Sequence, residues 1–205
     1  MSERVDGTDR RRTAYLIEFR STPESAAVNA SRWLANPGPR RPAHLTLLGP
    51  YPAQANPLSA ADLDRLRREL VGSAITLTGP ARFARSRGAT VVLLAKSPLV
   101  TSRGHSPGRP YRPHATVYSG PNRALANELL STLTDVPALT VSVHRIVPVT
   151  VGVIDDPLNA QVITEGPVAD WLTEAGFDPY DLAAAGRRDR LRAISVIVEH
   201  LRDRP

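Results

Sequence analysis

Short apolar runs with period-two alternation are separated along this chain by longer segments whose apolar residues recur every three or four positions. The first run, TAYLIEF at 13–19, predicts a strand. PESAAVNASRWLA at 23–35 predicts a helix, with Thr22 as N-cap and Pro23 in the first turn. The cluster NPGPRRP at 36–42 stops it, and AHLTLLG predicts a second strand. SAADLDRLRRELV at 59–71 is the clearest helix: Ser59 caps it, acids come early, bases come late, and Leu63, Leu66 and Leu70 form a stripe.

The second part of the chain repeats this order. AITLTG and ATVVLLAK predict strands, and residues 97–113 read as a Pro/Gly/Arg-rich loop without an element of its own. HATVY predicts a strand, NRALANELLSTL at 122–133 a helix, and LTVSVHRIVPVTVG at 139–152 a long strand or strand pair. The order βα-β-α-ββ, then β-α-β, suggests two similar α/β halves. Beyond residue 155 the pattern changes. AQVIT is expected as one more strand and VADWLTEAGF as a short helix; a final helical stretch is capped by Asp178 and carries Leu191, Ile194, Val198 and Leu201 at helical spacing. Residues 1–12 are expected to be a disordered basic lead-in, 13–155 the two-lobed domain, and 156–205 a mainly helical extension packed on it.

Composition narrows the function. Apolar residues make up 41% of the 205 and charged residues 22%, as in a soluble globular protein. There is no cysteine, which excludes disulfides, thiolate chemistry and cysteine-based zinc sites. The polar N-terminus has no apolar core of a signal peptide, and no apolar run is long enough to span a bilayer. A cytoplasmic monomer with no membrane partner is expected. The net charge of +6 suits polyanions, but one Lys against 25 Arg also fits a coding bias toward arginine. The basic run Arg187, Arg188, Arg190 and Arg192 reads as a solvated face.

The chemistry enters through two stretches, RRPAHLTLLGP and YRPHATVYSGP. Each holds Arg-Pro, then His, one residue, Thr, a short apolar stretch and Gly-Pro. Both lie in expected strands, so His44 shares a face with Thr46, and His114 with Thr116. His105, His144 and His200 lack this context and read as structural or exposed. An imidazole can take a proton in one step and give one in another near neutral pH. Attack of water on a phosphodiester needs both acts, and two hydroxyls beside the rings could donate to the phosphate oxygens. No Asp, Glu or Cys sits at ligand spacing beside either His, which argues against a metal site. No Gly-x-Ser-x-Gly elbow, Walker loop or Gly-x-Gly-x-x-Gly occurs.

With these residues the chain resembles the 2H phosphoesterase superfamily, which includes the bacterial 2′-5′ RNA ligase-like proteins and the cyclic nucleotide phosphodiesterases. The resemblance covers roughly residues 13–152. It implies an α+β class and a bilobal, duplicated fold: two antiparallel-rich sheets facing a central cleft, helices outside. It further implies His44 and His114 as acid and base, Thr46 and Thr116 as phosphate donors, and no metal or cofactor. The expected substrate is a 2′,3′-cyclic phosphate on an RNA end or a small nucleotide. The alternatives are 2′-5′ RNA ligation and a non-catalytic RNA- or nucleotide-binding module. Arg112, Arg41 and Arg109, just upstream of the motifs, are candidates to meet flanking phosphates. Tyr51 and Tyr118, just downstream, are candidates to stack on a base, Tyr118 sharing the catalytic face by simple alternation.

Overall fold

The computed structural model describes residues 12–52, 58–108 and 110–204. The expected lead-in thus lies, apart from Arg12, outside the described residues, as does Arg109. The six strands are β1 (Arg12–Phe19), β2 (His44–Pro52), β3 (Ala74–Arg85), β4 (Gly88–Lys96), β5 (His114–Gly120) and β6 (Leu139–Thr150). The helices among them are α1 (Pro23–Ala35), α2 (Ala60–Leu70), α3 (Pro98–Arg103) and α4 (Arg123–Thr132). Past the last strand come α5 (Gln161–Thr164), α6 (Gly166–Glu174), α7 (Pro179–Ala184) and α8 (Arg187–Arg202).

The class is α+β, and the strands close into one antiparallel barrel in the order β1-β2-β5-β4-β3-β6. The two expected sheets are its halves, β6-β1-β2 and β5-β4-β3, joined edge to edge. The duplication is exact at the level of strands. Matching β1, β2 and β3 with β4, β5 and β6 maps one half onto the other, and each half borrows its third strand from the opposite part of the chain. One junction is a four-residue ladder from Ala74↔Ser142 to Leu77↔Leu139. The other is the pair Leu45↔Ala115 between β2 and β5.

Local chemistry accounts for most boundaries. The Thr22 and Ser25 side chains satisfy each other's backbone N–H groups at the start of α1. Ser59 and Asn122 cap α2 and α4 by the one-way bond, their side chains accepting from Asp62 N–H and Leu125 N–H. Two expectations change. Residues 97–113 contain α3, because Ser97 accepts from Val100 N–H and Pro98 sets the first turn. AQVIT is a helical turn, not a strand, because the side-chain Oδ1 of Asn159 accepts from Gln161 N–H and turns the chain.

On the outer barrel face Leu93, Ala115 and Val117 are buried against α1 and α4. Helix α8 packs on α1, and Ile194, Ile197, Val198 and Leu201 join the same apolar cluster as Trp33, Leu45 and Leu129. The extension therefore completes the core, since helix α1 would otherwise expose its second face. Arg190 reinforces this contact, donating Nε–H to the Leu34 carbonyl at 3.1 Å. It is structural, not part of a free basic face. Substituting Ile197→Ala is expected to cost about 2–5 kcal/mol, as for a core position. Guanidinium unfolding should remain one transition, followed alike by circular dichroism and tryptophan fluorescence; an earlier step for the extension would contradict a shared core.

Candidate active site

Both motifs lie at the narrow junction between the half-barrels. Leu45 and Ala115, the middle residues of the two His-x-Thr triplets, face each other and are fully buried on the outer side. By the strand period, His44, Thr46, His114 and Thr116 occupy the opposite, inner face. Antiparallel continuation of this register sets His44 across from Thr116 and Thr46 across from His114. Each histidine thus faces the threonine of the other motif.

Immediately after each threonine the strand carries one extra residue. On β2 the register passes from Leu16↔Thr46 to Tyr15↔Leu48, leaving Leu47 unpaired. On β5 it passes from Val92↔Thr116 to Val91↔Tyr118, leaving Val117 unpaired. These matching bulges reverse the alternation, so Leu47 with Leu48, and Val117 with Tyr118, are consecutive buried pairs. Tyr118 is therefore corrected from base-stacking candidate to core residue. It is 2% exposed, and its hydroxyl bridges the backbone of Asn122, accepting from the N–H at 3.1 Å and donating to the carbonyl at 3.3 Å. A Cβ at Gly120 would lie 2.5 Å from that hydroxyl, so the glycine of the second motif serves this ring.

The two imidazoles are held alike. Nδ1 of His44 lies 2.7 Å from the Pro42 carbonyl, and Nδ1 of His114 lies 2.7 Å from the Arg112 carbonyl, each two residues upstream. A carbonyl only accepts, so Nδ1 carries the hydrogen and Nε2 is left as the working atom in both rings. Asn29 of α1 steadies the first motif by accepting from Ala43 N–H at 2.7 Å. The surroundings of the rings differ. Burial pushes the His44 pKa down to about 4, and the cations of Arg32 and Arg41 add to this against the Pro42 hydrogen bond and Glu18. His114 meets the edge of the Phe83 ring at a centroid distance of 5.0 Å.

An open cleft of about 380 Å³ is lined by Thr46, Phe83, His105, Tyr111, Arg112 and His114, with Gly49, Ser106 and Pro110 at its margin. It contains one cross-strand pair, Thr46 with His114. The other pair, His44 with Thr116, shares the face but does not line this cavity. Arg112 is exposed at the rim. Arg41 is turned away, toward the 153–155 segment, where it donates to the Val153 carbonyl at 3.0 Å and pairs with Asp155 at 3.4 Å. Tyr51 is half-buried beside the cleft, stacked on His105 with centroids 6.3 Å apart.

Four residues escape a reading of the sequence. Arg32 is the basic residue in the last turn of α1. Its Nε–H donates to the Arg41 carbonyl at 3.0 Å and a second N–H donates to the Thr116 carbonyl. It ties the approach to one motif to the threonine of the other, and burial lowers its pKa to about 10, leaving it charged at neutral pH. Tyr111 donates its hydroxyl to the Thr46 carbonyl at 3.0 Å, and burial raises its pKa. A Cβ at Gly104 would fall inside its ring, 1.9 Å from the nearest atom. His105, expected to be bystander, reaches the cleft because its N–H and carbonyl bridge Leu47 and Gly49. Phe83 comes from the long β3 strand. His144 is exposed and His200 stacks on Trp171 at 4.3 Å, both away from the site.

Among the described residues no group of three or more His, Cys, Asp or Glu is arranged to hold a metal ion, and no helix is long and apolar enough to cross a membrane. Compared with known proteins, the chain matches the model of the 2′-5′ RNA ligase superfamily over residues 21–151, which spans both motifs. No curated protein matches it.

The histidine environment makes a prediction in pH. Between about pH 6.5 and 4 the unfolded chain protonates at residue 44 while the folded ring stays neutral. Stability is therefore expected to fall as the pH is lowered through that window, and His44→Gln should remove this part of the slope. In ring NMR, His44 should titrate near 4, and Arg32→Gln should raise that value.

Proposed function

Because the chain belongs to the 2′-5′ RNA ligase superfamily, the 2H phosphoesterases, we propose that it is a metal-independent phosphodiesterase that opens 2′,3′-cyclic phosphates of RNA ends or small nucleotides. The observation that carries the reading is the matched pair of imidazoles, each with Nδ1–H given to the i−2 carbonyl and Nε2 left free, on strands joined at Leu45↔Ala115.

His44, held neutral by burial, is the base. Its Nε2 takes a proton from water as the water oxygen bonds to phosphorus. One ring oxygen of the cyclic phosphate leaves, and His114, in the protonated state, gives it the Nε2 proton. The product is a phosphomonoester beside a free hydroxyl, and the two proton transfers balance. The Thr46 and Thr116 hydroxyls donate to the non-bridging oxygens, where charge builds. Arg112 at the cleft rim meets the phosphate or its neighbour. The crossed register, each threonine opposite the histidine of the other motif, supports a reading in which both strands act on one phosphorus. Ligation would differ only in the nucleophile: a ribose hydroxyl in place of water gives its proton to the base and bonds to phosphorus, while the ring oxygen leaves with the proton from the acid.

His44→Ala and His114→Ala are each expected to lower turnover of a cyclic nucleotide by about 10²–10⁴-fold. Thr46→Ala and Thr116→Ala should lose about 10²–10³-fold, as for one oxyanion donor. The double histidine variant should lose far less than the product of the single losses. Full turnover in either folded histidine variant would exclude this chemistry.

Hydrolysis should persist in EDTA. On the acid side, kcat/KM should hold until the pH approaches 4, where His44 gains its proton. A fall centred near 6.5 would show an ordinary imidazole as the base instead.

A further inference from the structure

The chain's positive charge is densest in one stretch. From Leu70 to Asn127 there is no Asp or Glu, yet there are seven Arg and one Lys. With the whole chain at +6, the remainder is net −2. This stretch builds β3, β4 and β5, the half-barrel that carries His114 and Thr116. Elsewhere, arginines such as Arg65, Arg67 and Arg145 sit against carboxylates. Within the stretch Arg103 reaches Glu69, but no described carboxylate pairs with Arg85.

The register places Arg85 on the inner face. On β5 the bulge at Val117 returns Ser119 to the side of Thr116, and the two residues pair with Thr90 and Val92 of β4. Phe83 pairs with Thr90, and Arg85 lies two residues further along β3. An Arg85 N–H donates to Ser119 Oγ at 2.6 Å, and Thr90 Oγ1 lies 3.3 Å from the same oxygen. One guanidinium and two hydroxyls therefore converge on the inner face, and Arg85 is exposed. The step from Thr116 to Ser119 equals two residues of β4, roughly 6–7 Å at strand rise. That is close to the separation of successive phosphates in a single nucleic-acid strand.

We infer that Arg85, Ser119 and Thr90 form a second anion subsite, which takes the phosphodiester next to the reacting phosphate. The substrate is then an oligonucleotide with at least one internal phosphate rather than a lone nucleotide. This rests on the cyclic-phosphate reading of the His-x-Thr site. Arg85 supplies the planar, two-pronged donor that suits a phosphate, and the two hydroxyls complete its oxygen contacts. Arg82 contributes to the field but not to the subsite, because it points to the outer face and donates to Asn127 of α4.

The test uses product-like ligands, which need no turnover: a 3′-phosphorylated dinucleotide and the 3′-phosphomononucleotide of the same terminal base. Calorimetry on the full chain should show the dinucleotide binding about tenfold tighter or more, the scale of charge-assisted hydrogen bonds to one phosphate. Arg85→Ala should reduce that margin to less than about threefold, and Arg85→Lys should keep part of it. Equal affinities in the unaltered protein, no measurable dinucleotide binding, or a margin that survives Arg85→Ala would overturn the subsite. Turnover by the histidine variants decides the cleavage reading separately, so the two can fail independently.

Discussion

Everything at the centre of this protein depends on one backbone pairing, Leu45 against Ala115. Those two side chains are the floor on which two strands from distant parts of the chain meet. Their neighbours in sequence are the four groups with chemistry. Because strand side chains alternate, anchoring the middle residues in the core forces both histidines and both threonines onto the inner face. Antiparallel order then crosses them, ring against hydroxyl. A one-residue slip would bury all four and expose the leucine.

The duplication is strict in backbone and loose in chemistry. Both strands bulge one residue past the threonine, and both rings lean on an i−2 carbonyl. The cross-strand neighbours diverge: His44 lies opposite Glu18, His114 opposite Leu94. A buried guanidinium also stands behind the first ring, and an aromatic edge behind the second. Symmetric positioning with asymmetric surroundings lets burial hold the pKa of one ring, His44, down, and the base role proposed for it rests on that.

Much of this was legible beforehand for identifiable reasons. Thr22, Pro23, Ser59 and Asp178 mark helix starts through short-range hydrogen bonds, which depend only on adjacent residues. The paired His-x-Thr triplets were legible because period two fixes their face. The bulges were not, since nothing in LTLLG or ATVYSG distinguishes an extra residue from a regular one, and Tyr118 was misplaced by that single count. Arg32 was hidden for a different reason. A basic residue in a last helical turn normally faces water, and only the tertiary approach of the Thr116 carbonyl makes it internal. Helix α5 turned on the side chain of Asn159, outside the apolar pattern that suggested a strand.

The exchange of third strands has an ancestral consequence. A half-length chain of the form β-α-β-α-β, pairing with a second copy of itself about the Leu45–Ala115 axis, would close the same barrel. Its single His-x-Thr triplet would appear twice across the dyad, so one gene of half the size would encode both histidines. Such a homodimer could not tell its two rings apart. Fusion into one polypeptide removes that restriction, because mutation can then reach one copy alone. Arg32 and Glu18 on one side, and Leu94 and Phe83 on the other, are the divergence that fusion permits.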